Sequence, residues 1–139
     1  MESDTVVYWD ASAILSSLFT DRFSGTAGQW ARKKGLHLIS TLSHAETCAV
    51  ITRLKREKHL SETSLQSAFD AMENGPWRRL NAWPEWKTVR FLSRKWALKG
   101  ADLWHLALAK GLQSRFPELY LLSFDSVLQK TARGEGLSG

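Results

Sequence analysis

One cysteine and three prolines among 139 residues set the first limits on this chain. Cys48 alone provides neither an intramolecular disulfide nor a multi-cysteine zinc site, and its simplest reading is a small core residue. No apolar run approaches the roughly 20 residues that span a bilayer. No basic segment followed by an apolar stretch opens the chain, so neither a signal peptide nor a membrane partner is expected, and the cytoplasm is the expected compartment. Linkers, repeats and low-complexity segments are missing as well, which makes residues 1–139 a single expected domain. What is present is a 43% hydrophobic share, sufficient for a packed core, and a net charge of +5 that favours a polyanionic partner. Seven tryptophans are many for this length, and burial is the ordinary fate of an aromatic.

The chain is organised around Val6 to Leu15, VVYWDASAIL. Val6, Val7, Tyr8 and Trp9 form an unbroken β-prone run, as in a strand of a parallel sheet buried on both faces. The run stops at Asp10, and Ile14, Leu15, Leu18 and Phe19 then recur at helical spacing. Asp10 therefore stands at the carboxyl end of a central strand, where open α/β sheets place their ligand crevices. As a favoured N-cap it could equally do no more than start the helix.

Further along, a helix is expected up to Lys34 with Ala27, Trp30 and Ala31 inward, and Leu36 to Ser40 reads as a second strand. Ser43 and Glu46 have the spacing of a capping box opening a helix to about His59, and another helix runs from Ser61 to Asn74. Trp77 to Trp83 reads as an edge strand. Pro84 suits the first turn of a helix that carries Trp86, Val89, Leu92 and Trp96 inward and Lys87, Arg90 and Arg94 outward. A helix opening at Ala101 or Asp102, a strand over Leu119 to Phe124 and a helix from Ser126 to Arg133 complete the order. Such alternation implies an α/β fold, a parallel sheet with helices on both faces.

Asp10, Glu46, Asp102 and Asp125 each lie at a strand end or in a first helical turn. Each has an innocent reading: three are possible N-caps, and Glu46 is the possible partner of Ser43. In a parallel sheet, however, they share one edge. Carboxylates packed together repel and lose solvation, and a hard cation, Mg²⁺ or Mn²⁺, removes that penalty. Such a site suits phosphodiester hydrolysis by a metal-activated water.

The segments YWDASAIL, SHAETCAVITRL, GADLWHLALA and LLSFDSVLQKTARGEG follow the order of the acidic blocks of PIN-domain ribonucleases. Over Val6 to Gly136 the chain resembles that family, and within it most resembles the VapC-type toxins of toxin–antitoxin pairs. The resemblance implies a three-layer α/β/α sandwich with a sheet of about four to five strands. It also implies an Mg²⁺- or Mn²⁺-dependent endoribonuclease site at Asp10, Glu46, Asp102 and Asp125. The small hydroxyl position after the first aspartate maps onto Ser12, and that of the last block onto Ser123. An RNA substrate, a homodimer and a cognate antitoxin are implied too.

Around that set, His105 shares a helix side with Asp102 and reads as a hydrogen-bonded structural histidine that can also position water, RNA or a carboxylate. Arg53, two turns beyond Glu46, and Lys87, Arg90 and Arg94 are candidate RNA-phosphate contacts, against a plain solvated face. Two other functions remain open. One is a non-catalytic PIN-like module that binds RNA or protein. The other is a phosphate-handling α/β hydrolase with Asp10 as nucleophile, disfavoured because Ser12 stands where a second aspartate is usual.

Overall fold

The computed structural model describes residues 5–138. Among them four strands form one fully parallel sheet: β1 (Thr5–Trp9), β2 (Gly35–Ser40), β3 (Trp77–Leu80) and β4 (Tyr120–Leu122), in the order β3-β2-β1-β4. Helices α1 (Ala11–Leu18) and α2 (Ser24–Ala31) separate the first two strands. Next come α3 (Thr41–Arg56) and α4 (Glu62–Asn74), then α5 (Trp86–Lys95) and α6 (Gly100–Leu112), and α7 (Ser126–Gly134) follows β4. This is the expected α/β sandwich with a parallel sheet.

Alternation along β1 shows why its apolar run has no polar face. Val6 and Tyr8 enter a core with Leu92, Leu106 and Leu128 of α5, α6 and α7. Val7 and Trp9 enter the opposite core with Ala13, Ile14, Ala27 and Met72 of α1, α2 and α4. A third cluster, Ile51, Leu65 and Ala68, joins α3 to α4. Side chains of a strand alternate faces, so a strand covered on both sides must be apolar at every position.

Three local readings change. α3 begins earlier than the capping-box spacing suggests, because Ser40 is the N-cap and its hydroxyl accepts from the Ser43 N–H at 3.0 Å. Ser43 instead donates to the Trp9 carbonyl at 2.9 Å. Glu46 thus has no capping duty. Trp86, expected inward, is 87% exposed, because it stands at the first residue of α5, beyond the core that Leu92 enters. Pro84 precedes that helix rather than opening it.

β3 is the expected edge but stops at Leu80. At the other edge, Leu121 N–H of β4 donates to the Leu137 carbonyl at 2.8 Å, so the segment after α7 returns to the outer side of that strand. Among the described residues no helix is long and apolar enough to cross a membrane.

Candidate active site at the carboxyl edge of the sheet

Parallel register brings the strand ends together. Trp9 pairs with Ile39 on one side and Leu122 on the other, so the next residues, Asp10, Ser40 and Ser123, end three adjacent strands. Asp10 N–H still donates to Leu122 O at 3.1 Å. β1 is followed by β2 on one side while β4 lies on the other, which puts Asp10 beside the topological switch point of the sheet.

Asp10 is buried at the end of β1 and serves as the N-cap of the following helix. As N-cap of α1 its Oδ1 accepts from Ala13 N–H at 2.9 Å, and it also accepts from the Ser12 hydroxyl at 2.6 Å. Burial raises its pKa above the ordinary carboxyl value, against the pull of hydrogen bonds from Ser12, Ser123 and Ala13 and the nearby His105. Ser12 accepts from Phe124 N–H at 2.9 Å, with Ser123 Oγ 3.4 Å away, so the two hydroxyl residues stitch α1 to the segment after β4. Ser123 in turn accepts from Asp125 N–H at 3.1 Å.

Asp102 lies in the first turn of α6, whose N-cap is Lys99, so it is not a cap itself. Burial raises its pKa first, then the charge of Asp125; His105 opposes the rise, and Asp10 and Glu46 add to it. All four acids are therefore within Coulombic reach of one point. Asp125 caps α7, accepting from Val127 and Leu128 N–H at 3.0 and 2.9 Å, and is solvent-exposed.

Glu46, on the second turn of α3, has Oε1 2.6 Å from His105 Nε2. His105 is buried, and its Nδ1 lies 2.6 Å from the Tyr8 hydroxyl, itself 2.7 Å from Ser40 Oγ. Tyr8 is held well above the ordinary phenol pKa by burial, which outweighs its bonds to Ser40 and Ser43. His105 is thus the structural histidine the sequence suggests and also the group that orients Glu46. The Tyr8–Ser40 part of this network carried no sequence signal, since Tyr8 reads simply as a strand aromatic.

The donor chemistry fits a hard divalent cation: the charges of Asp125, Asp10 and Glu46 add to burial in raising the proton affinity of Asp102, while Arg53, Lys55, Arg79 and Lys95 pair with Glu57, Glu62, Glu73 and Glu135 instead. Among the described residues, though, no three His, Cys, Asp or Glu groups form a ready-made cluster, because Glu46 turns to His105 and Asp10 to Ser12. The fit is one of donor kind. The RNA candidates lie outside the carboxylate set: Arg53 is exposed and 3.8 Å from Glu57 Oε1, while Lys87, Arg90 and Arg94 are exposed on α5.

A family model described as the PIN domain matches residues 7–134. Among solved structures, the chain is similar to the Mycobacterium tuberculosis toxin VapC20, which cleaves the sarcin-ricin loop. The two share 15% identity over 90% of this chain and 94% of that one, with a TM-score of 0.62. It is also similar to PAE2754 of Pyrobaculum aerophilum, with 15% identity, 89% and 82% coverage and a TM-score of 0.58. A search of curated proteins gives no match.

Proposed function

Because the chain belongs to the PIN-domain family, we propose that it is a divalent-cation-dependent endoribonuclease, the toxin of a type II toxin–antitoxin pair. In this reading residues 1–139 act as one nuclease domain in the cytoplasm, with RNA as substrate, a small cognate antitoxin as silencing partner and a homodimer as the working form. The observation that carries the reading is the gathering of Asp10, Glu46, Asp102 and Asp125 at the carboxyl edge of one parallel sheet. The shared fold with VapC20, a sarcin-ricin loop-cleaving toxin, is in keeping with that substrate class.

Asp10, Asp102 and Glu46 would hold the principal ion, Mg²⁺ or Mn²⁺, and Asp125 would complete the acidic pocket. When bound, such an ion lowers the pKa of a water and offsets charge on the phosphoryl oxygens. The chain's own residues do the rest. Ser12 and Ala13 fix the rotation of the Asp10 carboxylate, and His105 fixes Glu46. The exposed Asp125 marks the open side, where a phosphodiester enters. No side chain is needed as nucleophile.

One observation favours a second reading, a non-catalytic PIN-like binding module: the carboxylates do not form a ready-made metal cluster among the described residues. Cleavage of total cellular RNA by purified, partner-free protein separates the two. Discrete fragments in Mn²⁺ or Mg²⁺ that vanish in EDTA and with Asp10→Asn are expected of the nuclease. A well-folded protein that neither cuts RNA nor binds Mn²⁺ would be the module.

A further inference from the structure

Trp83 and Trp86 are 71% and 87% exposed. They flank a cleft of about 460 Å³ whose other walls are Pro84, Val89, Arg90 and Trp104. That volume lies within the span of small-ligand sites, about 300–1,000 Å³. Exposed apolar rings grouped together and rimmed by polar residues mark an interaction site.

The charge around the cleft says what covers it. From Trp83 to Lys99 the chain holds Lys87, Arg90, Arg94, Lys95 and Lys99 against Glu85 alone, a net +4 out of the whole chain's +5. Lys95 is taken by Glu135 at 2.7 Å, but Lys87, Arg90 and Arg94 stand exposed. A second copy docked through α5 would bring these cations against their own kind. A polyanion with flat apolar faces matches both features, since single strands are held by cations along the backbone and by aromatic rings under the bases.

The cleft also adjoins the carboxylates. Trp104 follows Asp102 by two residues on α6, and its ring meets His105 edge-on at 5.8 Å between centroids. His105 in turn holds Glu46. The far wall of the cleft is therefore one side chain from the acidic site.

We propose that the Trp83–Trp86–Trp104 cleft seats an unpaired base of an RNA strand, with Arg90 on its phosphate, and so fixes which phosphodiester reaches the carboxylates. The inference rests on the RNA reading above but not on catalysis.

The test is binding of a short fluorescein-labelled single-stranded RNA, read by anisotropy in EDTA so that nothing is cut. An abasic sugar–phosphate strand of equal length provides the comparison. The Trp83→Ala/Trp86→Ala variant removes two exposed rings, and an unchanged melting temperature shows that it folds. Its affinity for the RNA is expected to fall at least about tenfold while that for the abasic strand holds, because stacking needs a base. Arg90→Gln is expected to weaken both strands and lower the salt dependence.

Equal losses on both strands, or no loss, would overturn the cleft. So would a wild-type protein that ignores RNA, or a variant that turns from dimer to monomer with RNA affinity intact. A wild type that binds the RNA selectively but cuts nothing in Mn²⁺ would sink the nuclease reading and leave the cleft standing.

Discussion

Glu46 Oε1 and His105 Nε2 lie 2.6 Å apart across 59 positions of sequence, tying α3 to α6 over the end of the sheet. An ionised carboxylate only accepts, so Nε2 carries the hydrogen. The ring is 2% exposed and the carboxylate side chain 34%, so a buried, immobile group holds a partly solvated one. The other ring nitrogen reaches Tyr8 on the central strand. Glu46 is thereby referenced to the same strand that ends in Asp10.

Removing the ring should therefore act on stability and on the site together. His105→Ala leaves the buried Tyr8 hydroxyl short of a partner and opens a cavity, and it is expected to cost about 2–4 kcal/mol. His105→Gln, which can still donate to Glu46, is expected to recover part of the loss and more of the RNA-cleaving activity. Urea unfolding of the three proteins checks this. An alanine variant as stable as wild type would remove the network from the structure's support.

Asp10→Asn tests the cost of gathering charge. Burial raises the Asp10 carboxyl pKa, so the ionised form is penalised in the metal-free fold. In EDTA the asparagine variant is expected to melt at or above the wild-type temperature. In excess Mn²⁺ the order reverses. A ligand at 100 times its Kd stabilises by about 2.7 kcal/mol, and the variant loses the site that gains it. Thermal melts with and without Mn²⁺ decide, and a variant that keeps the full Mn²⁺ shift places the ion elsewhere.

Much of this architecture is legible in the sequence because β1, β2 and β4 are short apolar runs and the helices between them are periodic. The places of Asp10 and Asp125 are legible too, since each follows an apolar strand run, and that of Asp102 because it opens an apolar helix, whereas Ser12 and Ser123 are singled out only by the family resemblance. The role of Glu46 is less so: Ser43 and Ser40 are both plausible caps, and only the end of β2 decides between them. The Trp86 reading fails for a related reason. Periodicity assigns it to the face of Val89 and Leu92, but it does not say where along a helix the opposing layer ends. Contacts such as Tyr8 to His105, 97 positions apart, leave no local pattern at all.

Ser12 joins the site to the fold through two bonds, giving one to Asp10 and taking one from Phe124 N–H. Ser12→Ala breaks both and leaves a partly buried backbone donor unpaired. A loss of about 1–2 kcal/mol is expected, with a fall in activity larger than the fall in folded fraction. Chemical denaturation beside the cleavage assay measures the two. An active, equally stable alanine variant would reduce Ser12 to a bystander.

Far from the carboxylates, Glu135 gives the protein an acid limb to its stability. Its side chain is 5% exposed. Burial alone would raise its pKa, but hydrogen bonds from Lys95 and Trp96 and the charges of Lys95 and Lys110 outweigh it and hold it below the ordinary value. The distances are 2.7 Å to Lys95 Nζ and 2.8 Å to Trp96 Nε1. A carboxyl whose folded pKa is depressed adds stability above its unfolded pKa, about 4.3, and loses it as pH falls through the lower folded value. Wild type should therefore lose stability below about pH 4.3 more steeply than Glu135→Gln, which keeps an acceptor for Trp96 but has no charge to protonate. At neutral pH the variant is expected to be about 1–2 kcal/mol less stable, and less so in high salt because Lys95 is half exposed. Parallel slopes for the two proteins under acid would show that the Lys95–Glu135–Lys110 group contributes nothing net.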